Sequence, residues 1–194
     1  MTQIVVRALA AQLLLWPAAP VLAQTSPPEG ASFASGVAAL HTYAPTGNPG
    51  STDFDVTDRA AITNLISAYS FAYDNFEAAA WLSLFTADAE FVAGEPGEPA
   101  LSFTGDGFRS FWTKRMNAFR SSGEQRRHLM ANILFLDQTA DTAHVSVVGL
   151  LASTADAHTF SAVSSLNYEG WLVKGPDGWK IKRWHDFPDA AFSQ

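Results

Sequence analysis

Two histidines and an arginine of this chain fall on strand faces that also carry large apolar residues. In the segment 126–137, period-two alternation puts Arg126, His128, Met130, Asn132 and Leu134 on one face. In 179–187 it groups Trp179, Ile181, Arg183, His185 and Phe187, leaving Lys180, Lys182, Trp184 and Asp186 on the other side. The face holding Trp179 and Ile181 is the expected core side, so Arg183 and His185 are expected among apolar neighbours. Burying such groups is unfavourable unless they are paired or line a wet cavity. They are therefore the clearest sign of a pocket in the sequence. An imidazole, with an ordinary pKa of about 6.5, can take a proton near neutral pH. Tyr69 and Tyr73 lie on the apolar face of a helix that ends at Asp74, and Trp112 lies on another.

These residues need a scaffold. Asp55 or Thr57 can cap a helix beginning near Asp58. In it Ile62, Leu65, Ile66, Tyr69 and Tyr73 recur at helical spacing. A second short helix is predicted over Phe76–Phe85, short strands over Ala89–Ala93 and Leu101–Thr104, and a third helix over Gly105–Arg120. The second half reads as four long strands, 126–137, 142–154, 159–174 and 179–187, with Pro176-Asp177-Gly178 marking a hairpin. Helices first and hairpin-linked strands afterwards predict an α+β fold, an antiparallel sheet wrapped on helices.

Composition bounds the rest. The 194 residues suit one domain. Twelve Lys and Arg against nineteen Asp and Glu argue against nucleic-acid binding. Six Trp and fourteen Phe are many for a small core. Residues 1–23 have Arg7 ahead of a short apolar run and small residues before Ala23, the plan of a secretory signal peptide, and predict an exported, periplasmic or secreted protein. No other stretch is apolar enough to span a membrane. Residues 24–54 are rich in Pro, Gly, Ser and Thr and read as an arm, leaving 55–190 as the folded domain. The chain has no Cys, which removes thiol chemistry, thiolate metal ligands and a lipidated N-terminus. His144 and His158 match no tight metal spacing, and no metal or cofactor is expected.

Four segments carry a resemblance: YSFAYDNFEAAAWLSLFTADAEF (69–91), GDGFRSFW (105–112), RRHLMAN (126–132) and YEGWLVKGPDGWKIKRWH (168–185). In their order and spacing they resemble the SnoaL-like branch of the nuclear transport factor 2-like superfamily. The resemblance implies a conical half-barrel closed by helices around one deep, largely apolar pocket, and often a homodimer or homotrimer. It also implies roles, because Tyr69, Asp74, His128 and Arg183 match the Asp-His members of the family. His128 would remove a proton, Asp74 would orient it, and Arg183 with Tyr69 would steady the developing anion. Tyr73, Trp112, Asn132 and His185 would line the pocket. The expected activity is a cofactor-independent lyase or isomerase, dehydratase-like, on a small apolar or aromatic molecule. The alternative is an exported protein that binds such a molecule without chemistry. Each residue also has a structural reading. Asp74 opens Asp-Asn-Phe-Glu, a capping-box pattern with Glu77. Tyr69, Trp112 and Asn132 can be core, and Arg183 can bridge to Glu169 or Asp74.

Overall fold

The first helix, α1 (Val56–Asp74), starts at an N-cap aspartate, Asp55, whose carboxylate accepts the Asp58 backbone N–H at 3.0 Å. It buries Ile62, Ile66, Tyr69 and Tyr73 along one face. The computed structural model in which it is seen describes residues 26–34, 50 and 55–191. The expected signal peptide, 1–23, and most of the expected arm lie outside the described residues. Within the arm, β1 (Ala31–Phe33) pairs antiparallel with β3 (Glu98–Thr104).

The chain then runs through α2 (Ala78–Leu82), β2 (Phe85–Glu95), β3, α3 (Gly105–Ser122), β4 (Gln125–Gln138), β5 (Thr142–Ala155), β6 (Thr159–Gly175) and β7 (Gly178–Pro188). The second helix is shorter than predicted, because Phe85 opens a strand instead of closing a helix. Gly123, at φ +74°, ends α3 in the left-handed conformation that a glycine takes without strain.

The strands form one curved, unclosed seven-stranded sheet in the order β1-β3-β2-β7-β6-β5-β4. The predicted sheet is antiparallel throughout, whereas the observed one is mixed. The β2–β3 hairpin meets the β4–β7 meander through a parallel β2–β7 pairing. Period-two reading shows that strands pair but not in which direction, so this join was invisible in the sequence.

The aromatic surplus is spent in the layer between helices and sheet. Trp81 is fully buried, with ring centroids of Phe85 at 4.6 Å, Tyr69 at 5.3 Å, Tyr73 and Trp112 at 5.6 Å and Phe108 at 5.7 Å. Such tilted and edge-on pairs add to the burial of large apolar surface. Gly170 makes room for one of these rings, since a Cβ there would sit 2.6 Å from the Trp184 ring.

Asp58 fastens α1 to the β6–β7 hairpin. Its carboxylate accepts the Trp179 Nε1–H and the Lys174 ammonium, each at 2.9 Å. These two bonds hold the carboxyl below its ordinary 3.8. The stability it contributes is therefore present above that value and lost as pH falls through the lowered folded one. Asp58→Asn is expected to lower the urea midpoint at pH 7 and to leave it unchanged at pH 2. An equal loss at both pH values would assign the effect to hydrogen bonding and not to charge.

Candidate functional site

The last residue of α1, Asp74, reaches the edge strand β4 and holds His128 twice. Its Oδ2 accepts the His128 backbone N–H at 2.8 Å, and its Oδ1 lies 2.6 Å from Nδ1. Both side chains are largely buried. The capping-box reading of Asp74 is set aside: α2 is capped at Glu77 with no side-chain bond, and both Asp74 oxygens are engaged by His128. A carboxylate at Nδ1 stabilises the tautomer with the proton on that nitrogen, leaving Nε2 as the base. The Gln125 amide donates to the Asp74 carbonyl at 2.7 Å and secures the helix end against the strand.

Around this pair stand rings and a guanidinium. Tyr73 meets the imidazole edge-on at 5.0 Å, and Trp112 meets Tyr73 at 5.8 Å. Arg115 of α3 lies over Trp112 at 5.8 Å and over Phe119 at 5.1 Å. Burial pushes the Tyr73 phenol up, while the nearby Arg115 and Arg126 guanidinium groups act in the opposite direction. Tyr69, one helical turn earlier, is core: it packs on Trp184 at 5.0 Å and Trp81 at 5.3 Å, and burial drives its phenol far above the ordinary value. The tyrosine that accompanies the Asp-His pair is thus Tyr73, not Tyr69.

Three expected site residues lie elsewhere, and β-bulges are the cause. Leu172 pairs with Ile181 but Trp171 with Arg183, so β7 carries one extra residue at Lys182. A bulge inverts the alternation beyond it. Trp179 and Ile181 face the core as predicted, but after Lys182 it is Trp184 and Asp186 that face inward. Trp184 packs on Tyr69, and Asp186 pairs across strands with the buried Tyr168. Arg183 and His185 therefore point to the outer face of the sheet. There Arg183 pairs with Glu90 at 3.0 Å and lies over Trp171 at 5.3 Å. His185 lies 3.6 Å from Glu169, whose other oxygen is 2.5 Å from His144. A second bulge, between Ala131 and Leu134 of β4, contains Asn132, exposed and at φ +49°. Asn132 does not line the interior.

Asp186 is the residue that sequence reasoning missed. It is deeply enclosed yet keeps some accessible surface. Its Oδ1 is buried with no hydrogen-bond partner, as are Tyr168 Oη, Trp112 Nε1 and Arg115 Nε. Burial pushes its carboxyl up to about 6, against the opposing pull of His128 and Arg115. The sequence carried one signal. The large apolar residues of β7 fall at 179, 181, 184 and 187, and the step from 181 to 184 breaks period two.

Two surface grooves lie near the site, one at the Asp74–His128 pair and one at Arg115, and Asp186 lines neither. One, of about 510 Å³, runs over the β4 edge and is lined by Phe71, Asp74, His128, Leu129, Leu150 and Phe160, among others. The second, of about 740 Å³, lies between α3 and residues 28–30 and includes Arg115 and Phe119. Among the described residues no helix could cross a membrane, and no group of His, Asp and Glu is placed to hold a metal.

The fold is shared by solved structures. ActVI-ORFA from Streptomyces coelicolor is 24% identical, with 68% of this chain and 96% of that one covered at a TM-score of 0.55. A protein provisionally assigned as a scytalone dehydratase from Novosphingobium aromaticivorans is 20% identical, with 72% and 89% covered at 0.59. An NTF2-like protein with a cystatin-like fold from the same organism is 19% identical, with 70% and 90% covered at 0.55. No curated protein matches the chain in sequence. Residues 55–185, the whole unit from α1 into β7, match the SnoaL-like domain, and the chain belongs to that family.

Proposed function

We propose that this protein is a cofactor-independent lyase or isomerase, dehydratase-like, in which His128 removes a proton from carbon on a small apolar or aromatic molecule. The observation that carries the reading is the pair of hydrogen bonds by which both Asp74 oxygens hold His128. It fixes the ring, sets the tautomer and stabilises the imidazolium that forms. Tyr73 and Arg115 supply donors for a developing enolate or leaving group, the role the family resemblance implied for Tyr69 and Arg183. The apolar walls of the 510 Å³ groove, Phe71, Leu129, Leu150 and Phe160, suit a substrate of low polarity. The SnoaL-like assignment and the resemblance in fold to a provisional scytalone dehydratase support the same reading.

A second reading has an observation of its own. The interior is packed by Trp81, Tyr69, Phe85 and Trp184 rings, as in a protein that holds a ligand without acting on it. Proton exchange separates the two. With 1-indanone in deuterated buffer, the wild-type protein is expected to speed loss of the C2 proton signal well above the buffer rate, and His128→Ala to return it to that rate. Exchange that is equally fast in His128→Ala would exclude the proposed base.

A further inference from the structure

We propose that Asp186 is the second proton-transfer group of this site, the acid that protonates a departing hydroxyl while His128 takes the proton from the neighbouring carbon. The inference rests on the proposed lyase reading and assigns a residue that reading leaves unused. Geometry carries it. The bulge at Lys182 turns Asp186 inward, onto the face where Trp184 meets Tyr69. A bulge beside a reactive group re-aims a side chain, here at the expense of an unbroken ladder. Asp186 is not fully covered, and its buried Oδ1 has no hydrogen-bond partner. Its cross-strand partner Tyr168 likewise presents a buried Oη without a partner. A core carboxylate whose role was structural would be bonded on both oxygens, as Asp58 is.

The charges suit the role. His128 and Arg115 are close enough for their charges to act on the Asp186 carboxyl. Burial nonetheless holds that carboxyl up at about 6, so it carries a proton into weakly acidic conditions, where an ordinary aspartate is already ionised.

The step balances within the chain's own groups. His128 Nε2 takes the proton, the C–H electron pair becomes the carbon–carbon double bond, and the C–O bond breaks. The hydroxyl oxygen takes the Asp186 proton and leaves as water. Imidazolium and carboxylate remain, and transfer of one proton from His128 to Asp186 restores the starting state.

Two probes that differ only in leaving group test it: 3-hydroxy-1-indanone, whose hydroxyl needs a proton to depart, and 3-chloro-1-indanone, whose chloride does not. Each is followed by formation of the indenone, with the buffer rate subtracted. Asp186→Asn is expected to slow the hydroxy probe at least 100-fold and the chloro probe less than 5-fold. Asp186→Glu should restore part of the loss on the hydroxy probe. The hydroxy probe alone should show kcat/KM falling as pH rises through about 6. Equal slowing of both probes by Asp186→Asn would overturn the acid assignment while leaving His128 as base, provided His128→Ala abolishes both reactions. If His128→Ala leaves both reactions intact, or the wild-type protein acts on neither probe, the reading beneath falls with the proposal.

Discussion

Asp74→Asn is expected to lower kcat for proton removal by about 10³- to 10⁴-fold while the protein stays folded. The reason lies in the count of donors. Asp74 presents two acceptors to two N–H groups, the His128 backbone N–H at 2.8 Å and Nδ1–H at 2.6 Å. An asparagine in the same place offers one oxygen and one NH₂. If the oxygen keeps the backbone N–H, the NH₂ faces Nδ1 and favours the tautomer that leaves Nδ1 bare. The proton then resides on Nε2, where the base should be. If the amide turns the other way, the NH₂ opposes the backbone N–H of β4, a buried donor facing a donor, at roughly 1–3 kcal/mol. The first arrangement therefore wins, and the ring is held in place in the wrong state. Stopped-flow measurement of 3-chloro-1-indanone elimination, with near-ultraviolet circular dichroism as the folding control, checks it. A loss under tenfold would show that Asp74 serves only to tie α1 to β4, and the orienting role would fail.

Much of the scaffold of that pair was legible because it rests on local rules. The Asp55 cap, the helical face of Ile62, Ile66, Tyr69 and Tyr73, and the Pro-Asp-Gly turn each need only a few neighbouring residues to be read. The four long strands were found to within a residue or two for the same reason. The site was harder, because alternation is a running count and one inserted residue spoils everything downstream. On β4 the count from Arg126 to His128 and Met130 runs before the bulge and holds. Past Asn132 the inward residues are Ile133 and Phe135 in place of Leu134. On β7 the count holds at Trp179 and Ile181 and fails from Lys182 onward, exchanging Arg183 and His185 for Trp184 and Asp186. Bulges are set by how neighbouring strands curve, which is a property of the whole sheet and not of the segment.

The corrected faces also alter the chemistry on offer. Read by simple alternation, the interior held two cationic groups, Arg183 and His185, with His128. The observed interior keeps His128 and gains Arg115 and a carboxyl, Asp186, while Arg183 and His185 join Glu90, Glu169, His144 and Trp171 on the outer face. A site with guanidinium and imidazole groups alone must draw its weak acid from an imidazole. One with an enclosed carboxyl beside an oriented imidazole can move a proton at both ends of an elimination.

Such a carboxyl has a measurable consequence for stability. Asp186 is pushed up to about 6 from 3.8, so its neutral form is the one the fold favours. A group with a raised folded pKa contributes fully below the unfolded value, and the contribution is lost as pH rises through the folded one. Between pH 4 and pH 8 the protein should thus lose stability on its account, by about 3 kcal/mol at 1.36 kcal/mol per pKa unit. Asp186→Asn removes the charge and keeps the shape, with part of the gain, about 1 kcal/mol, offset by burying an amide short of partners. The expected result is a variant about 2 kcal/mol more stable than wild type at pH 8, a rise of roughly 5 °C or more in Tm for a domain of this size, with no advantage at pH 4. Thermal unfolding followed at both pH values decides it. A variant no more stable at pH 8 would mean that Asp186 is ionised and well solvated, and its use as an acid would lose its basis. A more stable but catalytically slower variant would instead show a group kept for chemistry against the interest of the fold, the trade-off expected where an active site holds a carboxyl away from water.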